Sequence, residues 1–502
     1  MPTPKRLLAA LALGALAIGL VPAAAEAHDP SVVRTSNGYV RGAETGGLRT
    51  FSAVPYAAPP ERWKSPKPAA SWKGVRDATK PAPPCAQPGG LPVAIPNTNE
   101  DCLYLNVTAP ADADGDTPVI VWIHGGSLRV GSGDYYGASR LAKDAVVVSV
   151  NYRLGVMSFL SDPALNNSGS LAIEDQQAAL RWVRANIGAF GGDGENVTIM
   201  GQSGGGYAVC SHLASPASRG LFDRAIIESA PCAGPEATDT RAEADAYGLG
   251  VVKAVGCDTA ADRAACLRSR PVDALLAAFG QYAEPRPIAG TPLLPLSPAE
   301  AFRTGRFNRV PVLLGVNHDE MNGQYAGMEL GGGPLPASQY RPTLDQIYGD
   351  DAAAVEAAYP LSAHQGSAYW ALAAGRTANE WVRPTMDTAR LLARHTRLHV
   401  FELTETDNPW YAGTPTVSFP AGAQHMSELT YLFDMPIFAA RTPKQDALAE
   451  RMITAWTGFA AEGDPGWARF RTGHERVQAI SSGTWGPIDP EQEHHLGFWR
   501  GL

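Results

Sequence analysis

A single serine stands between glycines where an apolar run gives way to a helical pattern, in the stretch NVTIMGQSGGGYAVC. Val197 to Met200 reads as a short buried strand, and Ser203 to about Leu213 reads as a helix. The chain must turn between them within about two residues, which calls for a strained corner built from positions without a Cβ. Gly201, Gly204 and Gly205 supply those positions around Gln202 and Ser203. Such a corner lifts one hydroxyl clear of the backbone and points neighbouring amides at a common spot. It predicts acyl transfer through a covalent serine intermediate.

The rest of the chain has the alternation this corner requires. Short β-branched runs at Pro118–Ile123, Ala145–Asn151, Val197–Met200, Arg224–Glu228, Val310–Val316 and Leu398–Leu403 read as strands. Helical patterns cover Ala172–Phe190, Ser203–Leu213, Thr240–Val255, Ala352–Tyr359, Ala368–His395 and Pro443–Ala461. The strands are continuously apolar rather than alternating, which implies burial on both faces and a mostly parallel sheet. Helices then flank that sheet, giving an α/β architecture with reactive residues on loops at the carboxyl ends of its strands.

A serine hydroxyl needs an imidazole to take its proton and a carboxylate to orient that imidazole. In hydrolases with such an elbow the chain order is serine, acid, histidine. His425, in AGAQHMSELTYLF, lies well downstream in a glycine-flanked segment after the Leu398–Leu403 strand. His395 and His399 fall at a helix end and a strand start, and His494 and His495 in an acidic tail, where packed or solvated roles are the ordinary expectation. For the acid, VPVLLGVNHDEMNG ends a strand and offers Asp319 and Glu320, which spacing alone does not separate. Backbone amides for the developing oxyanion are expected from Gly204 and from the turn that closes PVIVWIHGGSL, at His124-Gly125-Gly126-Ser127.

Bulk properties bound the setting. Lys5 and Arg6 precede an apolar run from Leu7 to about Val21, and Ala25-Glu26-Ala27 supplies a small-residue cleavage site. Residues 1–27 therefore read as a secretory signal peptide, with the mature chain starting near His28 and Ala25 as the other plausible cut. No later stretch reads as a membrane anchor. Residues 28–502 show no linker, repeat or low-complexity segment and read as one domain. The net charge of −9, without a basic cluster, argues against nucleic acid or an anionic membrane as partner.

Six cysteines permit fifteen pairings. Cys85 with Cys102 and Cys257 with Cys266 each enclose a short loop, and Cys210 with Cys232 is a third candidate. No C-x-x-C or His/Cys spacing suggests zinc, so neither metal nor cofactor is expected.

Further motifs sharpen the reading: VPYAAPP (54–60), EDCLYLNV (100–107), WIHGG (122–126), NYRLG (151–155), EDQQAALRWVRANIGAFGGD (174–193) and GFAAEGDP (458–465). With the elbow they make nearly the whole mature chain resemble the type-B carboxylesterase family, which includes cholinesterases and bacterial para-nitrobenzyl-type esterases. The resemblance implies an α/β-hydrolase fold and a small-molecule ester substrate. It selects Glu320 over Asp319 as the acid, His425 as the base, and Gly126, Ser127 and Gly204 as the oxyanion amides. It also implies bridges from Cys85 to Cys102 and from Cys257 to Cys266, a buried supporting serine at Ser229, and a structural glutamate at Glu428.

Departures from the family pattern bear on substrate. Gln202 replaces a customary glutamate before the nucleophile, Ser127 replaces a third oxyanion glycine, and Met321 follows the acid where glycine is usual. The loop from Cys85 to Cys102 holds no Trp, Tyr or Phe, whereas cholinesterases hold a quaternary ammonium on an aromatic ring from that loop. These features predict neutral rather than choline esters, and Ser127 predicts poor turnover of bulky tertiary-alcohol esters. Rival readings are a serine amidase or peptidase on the same fold, or a non-catalytic adhesion-type binding protein. A penicillin-binding enzyme is disfavoured because no S-x-x-K occurs.

Overall fold

The β-branched runs pair into one eleven-stranded sheet. The computed structural model describes residue 1 and residues 29–90, 92–282 and 285–502. Apart from Met1, the expected leader at residues 1–27 lies outside the described residues, and so do its cleavage sites. In chain order the sheet strands are β1 (Ala43–Thr45), β2 (Leu48–Pro55), β3 (Tyr104–Pro110), β4 (Thr117–Ile123), β5 (Val146–Val150) and β6 (Gly192–Gln202). They continue with β7 (Arg224–Glu228), β8 (Val312–Asn317), β9 (Leu398–Leu403), β10 (Val477–Ile480) and β11 (Trp485–Ile488). Their spatial order is β1-β2-β3-β5-β4-β6-β7-β8-β9-β10-β11. The run from β5 to β10 is parallel throughout, while β1, β2, β3 and β11 are antiparallel edges.

Both faces of the parallel run are buried, as its unbroken apolar sequence requires. Val121 and Ile123 of β4, Ile199 of β6 and Ile227 of β7 point into one core with Leu180 and Val183 of helix α1 (Leu171–Asn186) and Val209 and Leu213 of helix α2 (Gly204–Ala214). Ile120, Trp122, Met200, Ile226 and Phe401 point into the other, with Met452, Trp456 and Phe459 of the later helix Pro443–Glu462. The sheet is thus sandwiched by helices, as expected.

Two expectations need correction. The helix read over Ala368–His395 is broken: α-helices at Ala368–Arg376 and Arg383–Leu392 flank a wider π-type turn at Thr377–Val382. Pro384 explains this, because it lacks an N–H and its ring clashes within a regular helix, so the turn before it opens. The elbow strand is also longer than its apolar run, reaching from Gly192 through Gln202.

Register brings the strand ends level. Ile123 pairs with Gly201, Gln202 with Glu228, and Glu228 with Gly315. Asn317 at the end of β8 pairs with Leu403 at the end of β9. The loops carrying His124–Ser127, Ser203, Ser229 and His318–Glu320 therefore leave the sheet along one edge. Three disulfides are present: Cys85–Cys102, Cys257–Cys266 and the third candidate, Cys210–Cys232, which ties α2 to the loop after β7. Among the described residues no helix is long and apolar enough to cross a membrane.

Candidate active site

Ser203 sits at the corner with φ 55° and ψ −124°, a strained backbone for a residue with a side chain. Its amide donates to the Glu228 carbonyl at 2.9 Å, anchoring the corner to β7. The turn closes only because neighbours lack a side chain. A Cβ on Gly201 would fall 2.4 Å from the Gly205 carbonyl oxygen, and one on Gly205 would fall 2.0 Å from that of Ile123. The first turn of α2 is thereby pressed against the end of β4.

The turn after β4 lies on the other side of the corner. An added Cβ on Gly204 would approach the amide nitrogens of Leu128 and Ser127 to 2.7 and 3.0 Å, so the two segments touch through their backbones. Gly126, at φ 107°, and the non-glycines Ser127 and Leu128, at φ 55° and 54°, bend that turn tightly. Among the described residues, no backbone carbonyl accepts from the amides of Gly126, Ser127 or Gly204. Three donors at a helix start and a strained turn stay available for an anion. Tyr152 fixes the turn from behind: its hydroxyl donates to the His124 carbonyl at 2.5 Å and its ring stacks on the imidazole. Burial pushes His124 down to about 4, so this imidazole is neutral and supports the turn without charge.

The two candidate acids divide their work. Glu320 is buried; its Oε1 accepts from the Asn317 amide at 2.9 Å and its Oε2 lies 2.6 Å from His425 Nδ1. Asp319 points elsewhere and accepts from the Ala423 amide at 2.9 Å, so it holds the histidine loop rather than the imidazole. Met321 does not disturb this arrangement: its amide donates to Thr377 Oγ1 at 3.0 Å. Burial opposes protonation of His425, but the Glu320 carboxylate outweighs it and holds the imidazole above its ordinary 6.5.

With Nδ1–H directed at Glu320, His425 presents a lone pair on Nε2. That nitrogen lies 3.3 Å from the side-chain amide of Gln202, which is itself buried. Among the described residues the Ser203 hydroxyl makes no hydrogen bond to His425. The imidazole is poised as an acceptor, and Gln202 holds the position a nucleophile proton would take. Catalytic hydrogen bonds commonly tighten only when substrate is bound.

Behind the imidazole lies a set of buried polar groups. Glu428 accepts from the Asn317 side-chain amide, and burial, with Glu320 nearby, pushes it up to about 7. Glu228 is buried, accepts from Trp456 Nε1 at 2.8 Å, and is pushed well up by burial with Glu428 adding to the effect. Ser229 is buried with φ 48°, and among the described residues its hydroxyl has no partner. Nothing in the sequence pattern singled out Glu228, because a strand-terminal glutamate ordinarily faces solvent.

Ser203 opens into two cavities. One, of about 790 Å³, is lined by Val93, Tyr136, Trp381, Trp410, Tyr411 and Ile437, and among the described residues its only acid is Glu320. The other, of about 580 Å³, is bounded by Tyr207, Pro231, Glu236, Arg286, Glu380 and Arg383. Ser127, Met321 and Trp381 stand between them and line both. Aromatic surface missing from the Cys85–Cys102 loop is therefore supplied by other segments. Trp381 comes from the π-type turn, its ring 4.9 Å from that of His425. In the sequence it reads as an ordinary mid-helix residue, with no sign of this role.

Comparison with known proteins bears on the family and the fold. A sequence model of the Carboxylesterase family matches residues 29–499. The chain is 38% identical over 371 residues to a fumonisin B1 esterase of Sphingopyxis macrogoltabida, covering 70% of this chain and 66% of that one. It is 37% identical to a para-nitrobenzyl esterase of Bacillus subtilis (strain 168), covering 58% of this chain and 63% of that one. The aligned part thus spans slightly less than two thirds of either relative. The solved structure of a thermophilic PNB esterase superimposes with a TM-score of 0.79 at 28% identity, covering 94% of this chain and all of that one.

Proposed function

The chain belongs to the carboxylesterase family, and on that premise we propose that it is a secreted serine carboxylesterase acting on neutral carboxylic esters. Ser203 Oγ attacks the ester carbonyl while His425 Nε2 takes its proton and Glu320 stabilises the imidazolium. The amides of Gly126, Ser127 and Gly204 receive the oxyanion. His425 then protonates the leaving alcohol, and water releases the acyl group by the reverse sequence. Ser229, Glu228 and Glu428 support the site from behind without touching substrate. The observation that carries the reading is the 2.6 Å contact between Glu320 and His425 within the cavity that opens on the elbow serine.

The preference for neutral substrates rests on charge rather than on a lack of aromatic rings. Among the described residues the larger cavity has π faces but no carboxylate other than Glu320, which is already engaged by His425. The smaller cavity does carry acids, yet Glu236 is paired with Arg286 and Glu380 with Arg376. Ester hydrolysis is also the activity in the names of both relatives. Export is supported by three disulfides, which persist in oxidising compartments, and by the leader-like start. Residues 28–502 are proposed to act as one catalytic domain.

The test is a chain-length panel of p-nitrophenyl esters on the mature protein, with matched anilides and Ser203→Ala alongside. Rapid ester turnover, with anilides untouched and the variant inactive, is expected. Unchanged hydrolysis by Ser203→Ala would overturn the assignment, and comparable anilide turnover would make the protein an amidase.

A further inference from the structure

On the far side of the acid loop, three residues from distant parts of the chain meet. His318 follows β8, Glu402 lies in β9, and His494 comes from the carboxyl-terminal segment. One ligand atom of each lies within 4.8 Å of the others. His494 Nε2 is 2.8 Å from Glu402 Oε1, and His318 Nε2 is 3.9 Å from the same oxygen. The two rings are tilted by 46° with centroids 4.6 Å apart, so their edges converge on the carboxylate.

We propose that His318, Glu402 and His494 form a binding site for one divalent transition-metal ion of the zinc type. Tetrahedral zinc with donors at about 2.0–2.1 Å places neighbouring donors about 3.3 Å apart. The two histidine–carboxylate separations of 2.8 and 3.9 Å straddle that value, and all three donors lie within 4.8 Å of one another, so side-chain shifts of up to about 1.5 Å would seat the ion. Two imidazole nitrogens and one carboxylate oxygen form a donor set that zinc accepts, with a fourth position left to water.

A second, independent observation points to a cation. The Glu402 side chain is fully buried, and among the described residues its Oε2 has no hydrogen-bond partner. Among the described residues its only ion-pair partners are the two histidines. A buried carboxylate demands compensating positive charge, and a free oxygen demands a donor or a metal. The surroundings suit an ion in two further ways. His318 Nδ1 faces Asp319 Oδ1 at 3.4 Å, which directs Nε2 towards Glu402, the carboxylate backing often found behind metal-bound histidine. Its side chain is 34% exposed, whereas that of His494 is 6% exposed, so the site is open to solvent on the His318 side.

The ion clamps the carboxyl-terminal segment to the start of the acid loop. His318 is two residues from Glu320, and Asp319 holds Ala423 in the histidine loop. Bound metal therefore stiffens the support of both catalytic loops without entering the reaction cavity, which none of the three ligands lines. Sequence spacing gave no hint of this, because no two of the ligands are near neighbours in the chain.

The experiment is calorimetric titration of chelator-treated full-length mature protein with Zn²⁺ alone, and with Mg²⁺ as the hard-cation control. Wild type is expected to bind one Zn²⁺ saturably and to melt at higher temperature with it, while Mg²⁺ does neither. His318→Ala, His494→Ala and Glu402→Gln should each weaken binding at least about tenfold and abolish the thermal shift. Ser203→Ala should bind as wild type does. The half-buried His318 variant is informative even if a change at Glu402 impairs folding. Absence of saturable Zn²⁺ binding by wild type overturns the proposal. So does binding that survives in both His318→Ala and His494→Ala, or that is lost only in His425→Ala.

Discussion

Replacing Gln202 by glutamate changes one buried amide to a carboxyl of the same shape, beside the imidazole proposed to do the proton transfer. The Gln202 nitrogen is 3.3 Å from His425 Nε2, so a carboxylate there would face the imidazolium at nearly the same distance. Coulomb attraction at that separation is about 1 kcal/mol with the dielectric of water and about 5 kcal/mol with an effective value near 20. Those limits correspond to a rise of about one to four units in the His425 pKa. Desolvation of the new carboxylate opposes it, so the lower end is the safer expectation. The imidazole is already held above 6.5 by Glu320, and catalysis needs it neutral. The acidic limb of kcat/KM in Gln202→Glu should therefore move to higher pH by at least about one unit. The assay is a pH–rate profile with a neutral p-nitrophenyl ester, alongside thermal melting to confirm an intact fold. An unshifted limb in a folded variant would refute the reasoning. It would mean either that the introduced acid stays protonated or that the 3.3 Å contact is absent in solution.

Other outcomes follow from the same geometry. Wild type should show comparable kcat/KM for a choline ester and its neutral isostere, and a preference of about a hundredfold, worth ~2.7 kcal/mol, would contradict the charge argument. Gln202→Glu should raise that ratio. Ser127→Gly removes a Cβ from a turn at φ 55° that borders both cavities, so turnover of a tert-butyl ester should rise about tenfold, with no gain counting against a steric role. Paired Cys210→Ser and Cys232→Ser frees a loop spanning 22 residues and should lower unfolding free energy by about 3 kcal/mol in denaturant titration. A change under ~0.5 kcal/mol would show that the bridge does not restrain the unfolded chain.

What the sequence disclosed depended on whether a feature was local. The elbow was legible because its glycines and serine are consecutive, and because the strand before and the helix after have clean signatures. Arg224–Glu228 and Leu398–Leu403 were read to their ends, since continuous apolar runs bounded by polar residues leave little choice. The antiparallel edges were harder. Strands such as Ala43–Thr45 carry exposed polar residues and gain their pairing only from neighbours far along the chain. Asp319 and Glu320 are adjacent and chemically alike, so only the resemblance distinguished them; in the fold one meets Ala423 and the other His425. Trp381 and Glu228 were invisible for the same reason: a broken helix and register across the sheet bring them in. The metal-type cluster is the extreme case, with three donors joined by tertiary structure alone.

That Ser203 is the nucleophile can be read directly by labelling. A fluorophosphonate esterifies an activated serine with loss of fluoride, and peptide mass spectrometry locates the adduct. One adduct per chain is expected, on the peptide containing Ser203, with ester hydrolysis lost in proportion to its formation. Complete inactivation with Ser203 unmodified, or full activity with Ser203 fully labelled, would rule Ser203 out as the nucleophile.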